Sequence, residues 1–175
     1  MTNKRMAWWA AGVAGIAAGL TGVVLATPGF GAVGTIVARA AFADPTSIVF
    51  RIKDDHGGHG HGGKRREVIQ AHNAQDTVMQ QITFAPGGHT GWHSHPGPVV
   101  VLVTQGELTL FSSEDETCTG RTYFAGQSFI DSGQGHVHIG RASATGNTVL
   151  WVTYFDVPPG ESVRVDAADP GNCAF

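Results

Sequence analysis

Short runs of β-branched and aromatic residues, broken by Gly, Pro, Asn or Asp at intervals of ten or so, occupy the chain from Val33 onward. That rhythm fits strands joined by turns and little else. The candidate strands are Thr35–Ala38, Ser47–Lys53, Thr77–Phe84, Val99–Thr104, Leu108–Ser112, Arg121–Phe124, Ser128–Asp131, His136–Ile139, Thr148–Val157 and Ser162–Val165. No stretch of this region keeps a helical period over three turns. Alternation is clearest after Gly106, where Leu108 and Leu110 take one face and Glu107 and Thr109 the other, giving a sheet with one dry and one wet side. The 25 Gly and 8 Pro against 14% charged residues supply the turns. Short strands without crossover helices point to an all-β fold, a closed barrel or jelly roll, which also removes exposed sheet edges.

With 175 residues there is room for one such domain and a targeting segment. Residues 1–26 read as that segment. Lys4 and Arg5 precede an uncharged Ala/Gly/Val-rich stretch from Met6 to Ala26, with small residues suited to cleavage just before Thr27-Pro28. As a helix the stretch would be about 31 Å long, enough to cross a bilayer, so a signal peptide and an uncleaved anchor both remain. Either reading exports the domain at 27–175, secreted or on the outer face of the cytoplasmic membrane, and confines membrane contact to the N-terminal segment. The formal net charge of −3 and a single short cationic run, Lys64-Arg65-Arg66, argue against a nucleic-acid partner.

The two cysteines, Cys118 and Cys173, lie in polar, turn-rich surroundings, and an even count in an exported chain suggests that they pair. Such a bridge would pin the C-terminal tail to a mid-chain loop, with a chain-entropy gain of roughly 4 kcal/mol. A His/Gly-rich loop at 54–66 carries His56, His59 and His61. It reads either as a weak metal scavenger or as an insertion whose histidines are incidental. So much glycine makes preorganisation costly.

The chemistry concentrates in Pro86-Gly87-Gly88-His89-Thr90-Gly91-Trp92-His93-Ser94-His95-Pro96. On an extended backbone His93 and His95 leave the same face and can grip one ion. A lone His-x-His is more often surface polarity, but His136-Val137-His138 repeats the spacing after another glycine turn, Ser132-Gly133-Gln134-Gly135. Imidazoles from two neighbouring strands would make a facial set with open positions opposite.

At these residues the chain resembles the cupin superfamily. The first motif of that family runs glycine, His-x-His, glutamate, glycine; Gly87, His93, His95 and Gly106 stand at matching positions, and Val99 stands where the glutamate would be. The second motif is matched loosely: Gly126 fits, Ser132 replaces a proline, one residue is inserted, His138 takes the ligand place and Ala142 the place of an asparagine, with His136 as the fallback ligand. The likeness runs from about Thr77 to Val157 and implies a single cupin barrel. It also implies one divalent transition metal held by His93, His95 and His138, iron in the first place, with Zn, Ni, Mn or Cu as alternatives. A homodimer is the default that the resemblance implies.

Neutral ligands leave a divalent ion its full charge, which favours anionic or bidentate small-molecule ligands. Three functions follow: a metal-dependent enzyme, dioxygenase-like or isomerase-like, on a small anionic substrate; a non-catalytic module holding metal or a small ligand; or a metal-free structural barrel. For the enzyme, His136 or His89 is the candidate proton acceptor, and the catalytic residues stay unassigned. His89 reads as a fourth ligand, a partner to one, or a polar residue at the barrel mouth. Glu107 reads as a substitute for the missing carboxylate or as a solvated edge residue. Trp92, Phe84, Tyr123, Phe129 and Trp151 are expected in the core.

Overall fold

A computed structural model describes residues 26–54 and 65–175. Nearly all of the expected export segment, and residues 55–64 of the His/Gly-rich loop with their three histidines, lie outside the described residues. The described residues form twelve strands: β1 (Phe30–Ala40), β2 (Ile48–Asp54), β3 (Arg65–Ala71), β4 (Asp76–His89), β5 (His93–Ser94), β6 (Val99–Gln105), β7 (Glu107–Ser112), β8 (Arg121–Phe124), β9 (Ser128–Asp131), β10 (His138–Ala142), β11 (Thr148–Val157) and β12 (Val165–Asp166). Among the described residues there is no helix, hence none long and apolar enough to cross a membrane.

All strands but β2 and β3 join one sheet that curls into a barrel. The long strand β4 lies between β1 and β11, and β11 continues to β6 and β9. A second wall is built from β12, β5, β10, β7 and β8. The walls are joined where Arg141 of β10 meets His89 at the end of β4. The hairpin of β2 and β3 is separate, and the ring of Phe50 packs on Phe155 of the barrel, centroids 5.4 Å apart.

Alternation decides what enters the barrel. Val99, Val101 and Val103 of β6, Leu108 and Leu110 of β7, and Leu150, Val152 and Tyr154 of β11 are buried in one cluster with Phe84, Tyr123 and Phe129. Trp92 is also buried, at 1% exposure, so four of the five expected core aromatics are inside. Trp151 is not: Leu150 and Val152 turn inward, which leaves Trp151 half-buried on the outer face of β11. The second His-x-His also differs from its expected strand. β10 begins at His138, and His136 belongs to the turn before it, its N–H bonded to Gly133 O at 3.0 Å.

Cys118 and Cys173 form a disulfide across a separation of 55 residues, with Cα atoms 5.2 Å apart. It holds the C-terminal tail over the β7–β10 wall. Asn172 Nδ2 donates to Asp115 O at 2.7 Å and Ser112 O at 3.0 Å. The final residue, Phe175, stacks on Trp92 at 6.5 Å and lies under the Arg141 guanidinium at 4.2 Å.

Candidate metal centre

The local path that delivers the first pair of histidines depends on Gly91. Its φ is +71°, and a Cβ there would come within 2.1 Å of Thr27 O, so only glycine fits. This turn starts β5, in which His93 lies directly opposite His138 of β10. The residue that opens the second ligand segment thus faces the first motif across one ladder step. His95 follows two residues after His93, and the three rings gather with centroids 4.5 to 5.2 Å apart. All three are buried. One ring nitrogen of each lies within 4.8 Å of the others.

Hydrogen bonds fix which nitrogen that is. His93 Nδ1 meets Gly91 O at 2.9 Å and His95 Nδ1 meets Val163 O at 2.7 Å. His138 Nδ1 lies 3.3 Å from His136 O and 3.4 Å from Asp131 Oδ1. Carbonyl and carboxylate oxygens only accept, so each Nδ1 carries the proton and each neutral ring keeps its lone pair on Nε2. Burial pushes the His93 ring well below its ordinary 6.5, reinforced by His138 and His95. Burial, with His138 beside it, lowers His95 to about 4. Near neutral pH His93 and His95 are therefore uncharged, the form that binds metal. Buried neutral imidazoles with their outer nitrogens already tied back are the donor set that a borderline transition metal takes.

The cluster sits between two spaces. An inner cavity of about 40 Å³, room for a few waters, is lined by the three histidines, Asp131 and apolar side chains such as Phe129 and Val152. An outer cleft of about 390 Å³ reaches His93 and His95 past Gln80, Ser162 and Arg164. Tyr154 lines both; its O–H donates to Gln80 Oε1 at 2.8 Å, and burial raises its pKa further from neutrality, so it remains a donor. Arg164 is paired with Asp166.

The other candidates are placed as follows. His89 does not line either space; its Nδ1 accepts from Gly91 N–H at 3.1 Å, which steadies the ligand turn. Glu107 lies on the outer side of β7, opposite Phe124 of β8, and is not brought to the histidines. His136 is adjacent, not among the three: its Nδ1 lies 2.7 Å from Asp131 Oδ1 and its Nε2 3.1 Å from Ser112 Oγ. Asp131 was not singled out in the sequence, yet it is 3% exposed and groups with His136 and His138. Burial opposes its ionisation, but His138, the hydrogen bond from His136 and His95 outweigh that and hold the carboxyl well below its usual range. Its only sequence signal is the inward place two residues after Phe129, at the mouth of a glycine turn.

No protein-family model matches the sequence, and no curated protein matches it. Solved structures do. The polyketide cyclase RemF from Streptomyces resistomycificus aligns at 16% identity and a TM-score of 0.42, over 51% of this chain and 59% of that one. The chain therefore spans about three fifths of that protein's length. A protein from Klebsiella pneumoniae described as having a double-stranded β-helix domain aligns at 20% identity and a TM-score of 0.43, over 53% of this chain and 76% of that one. A cupin domain from Bordetella pertussis aligns at 19% identity and a TM-score of 0.45, over 76% of this chain and 99% of that one. These likenesses are too distant to bear on activity. The chain's own motif residues meet inside an all-β barrel, the arrangement that their resemblance to cupins leads one to expect.

Proposed function

We propose that this chain is an exported metalloprotein that binds one divalent transition ion through His93, His95 and His138 and acts on a small anionic molecule entering by the outer cleft. The observation that carries the reading is the common tie-back of the three imidazoles, which leaves three Nε2 lone pairs at the junction of two cavities. Iron is the first expectation, with Zn, Ni, Mn or Cu as alternatives, because N-donor geometry alone does not select among them. A bound ion would supply Lewis acidity and lower the pKa of coordinated water.

The chain's own groups shape what reaches that point. Arg164 and Gln80 give the outer cleft a polar, partly cationic lining, while the inner cavity is apolar and small. A compact carboxylate or enolate fits this division, with its charged end toward Arg164, beside the hydrogen bond of Tyr154 to Gln80. Export would rest on residues 1–26. A homodimer is also proposed: among the described residues β1 is paired on one edge, with β4, and exposes Phe30 and Val33 at 67% and 69%, an apolar edge that invites a partner strand.

Metal-replete protein assayed for oxygen uptake and for product formation across small diols, thiols and keto acids tests the enzymatic reading. Turnover that disappears with His93→Ala supports it. Tight binding of such anions with no turnover would instead favour a non-catalytic binding module.

A further inference from the structure

We propose that Asp131 is the carboxylate of this centre, displaced by one strand from the place where the cupin motif carries a glutamate, and that it acts through His138 as a positioning residue instead of as a ligand. The inference rests on the metal-binding reading above.

The displacement is visible in the strand register. Val99 occupies the glutamate place, and in the antiparallel β6–β9 pair Val99 lies directly opposite Asp131. Both residues point into the barrel, as the burial alternation along β6 and β9 shows. The carboxylate that β6 does not carry at Val99 thus stands at the same level on its neighbour, inside the same cavity. Cross-strand neighbours on one face approach within about 5.5 Å, so the charge is retained near the centre while the direction of approach changes.

The direction decides the role. Asp131 Oδ1 lies 2.7 Å from His136 Nδ1 and 3.4 Å from His138 Nδ1, and Oδ2 accepts from Gly133 N–H at 3.0 Å. The carboxylate therefore sits behind the His138 ring, on the edge away from Nε2. Its own position is fixed from the far side: Ser112 Oγ and His136 Nε2 share a hydrogen bond at 3.1 Å, and His136 Nδ1–H donates to Asp131. Gly133 has to be glycine for this turn to close, since φ is +60° and a Cβ would lie 1.8 Å from Gly97 O. The result is a chain from Ser112 through His136 and Asp131 to His138. A carboxylate behind a ligating imidazole fixes its tautomer and raises its basicity, and losing such a partner weakens metal binding about 10–100-fold. It does so without occupying a coordination position, leaving one protein ligand fewer on the ion than direct carboxylate ligation would.

The test uses the mature chain and cobalt(II) as probe. Affinity is measured by competition with a chromophoric chelator for wild type and Asp131→Asn, with cooperative unfolding checked for both. The expected result is one cobalt per chain in each and an affinity about 10–100-fold lower in the variant. Equal affinities would overturn the assignment of Asp131 and leave the metal reading standing. No cobalt bound by wild type would overturn both. Because Asp131→Asn removes a buried carboxylate and can fail to fold, a second measurement is made on metal-free wild type: nitrogen-15 NMR of the His138 ring. Protonation at Nδ1, which the Asp131 contact and the His136 O contact both require, keeps the relay in place, and protonation at Nε2 overturns it.

Discussion

His95 enters the barrel with its ring closed off from solvent and held at about 4 where the ordinary value is 6.5. A group depressed on folding is protonated in the unfolded chain before the folded one, so its contribution is complete above pH 6.5 and lost as pH falls toward 4. His93 acts in the same direction. For the metal-free protein, the His95 shift alone corresponds to about 3 kcal/mol lost across that window. Denaturant midpoints measured from pH 7.5 to 4.5 should fall steeply below 6.5; a flat profile would mean the rings are not buried as described. Gly91 gives a second prediction at this scale. A Cβ there meets Thr27 O at 2.1 Å, and Gly91 O holds His93 Nδ1. Gly91→Ala should destabilise the fold by about 1–3 kcal/mol and weaken metal binding with it. An unchanged affinity would separate the turn from the site.

At the scale of elements, most strands from Val99 to Val157 are legible because short β-branched and aromatic runs are bounded by Gly, Asn and Asp turns, and β7 adds a clean in–out alternation. Where alternation is blurred, the sequence misleads. The first strand was expected at Thr35–Ala38 but runs over Phe30–Ala40, because nearly all its residues are exposed and no periodic pattern marks its ends. Trp151 is expected in the core, whereas the register of β11 puts it outside. The three histidines could be read because the spacing within each pair is local. Asp131 could not, since its meeting with His138 depends on which strand lies beside which. The tail shows how one covalent link sets an element in place: Cys118–Cys173 holds Phe175 over Trp92, the residue before His93. The double variant Cys118→Ser/Cys173→Ser should lose about 4 kcal/mol and shift Trp fluorescence to the red as Phe175 lifts away. Equal stability and an unchanged spectrum would show that the tail holds its place without the bridge.

The whole molecule is a barrel whose two walls each contribute to one point. His93 and His95 come from the segment around β5, His138 from the start of β10, and Asp131 from the opposite wall at the end of β9. The barrel keeps these groups buried and their distances fixed, which is the condition for a tight centre built mostly from neutral donors. Its outer strand β1 offers the apolar edge at which a second copy is proposed to dock. Val33→Lys combined with Ile36→Lys, two exposed positions on that strand, should turn a dimer into a monomer in analytical ultracentrifugation without unfolding it. A wild type that sediments as a monomer at all concentrations would contradict that proposal. A bound ion is what three buried imidazoles meeting at one point call for. Elemental analysis of the untagged mature domain, beside His93→Ala/His138→Ala, is the measurement to make. One transition-metal ion per chain is expected in wild type and none in the folded double variant. Wild type free of stoichiometric metal after exposure to iron, zinc, nickel, manganese and copper would contradict it.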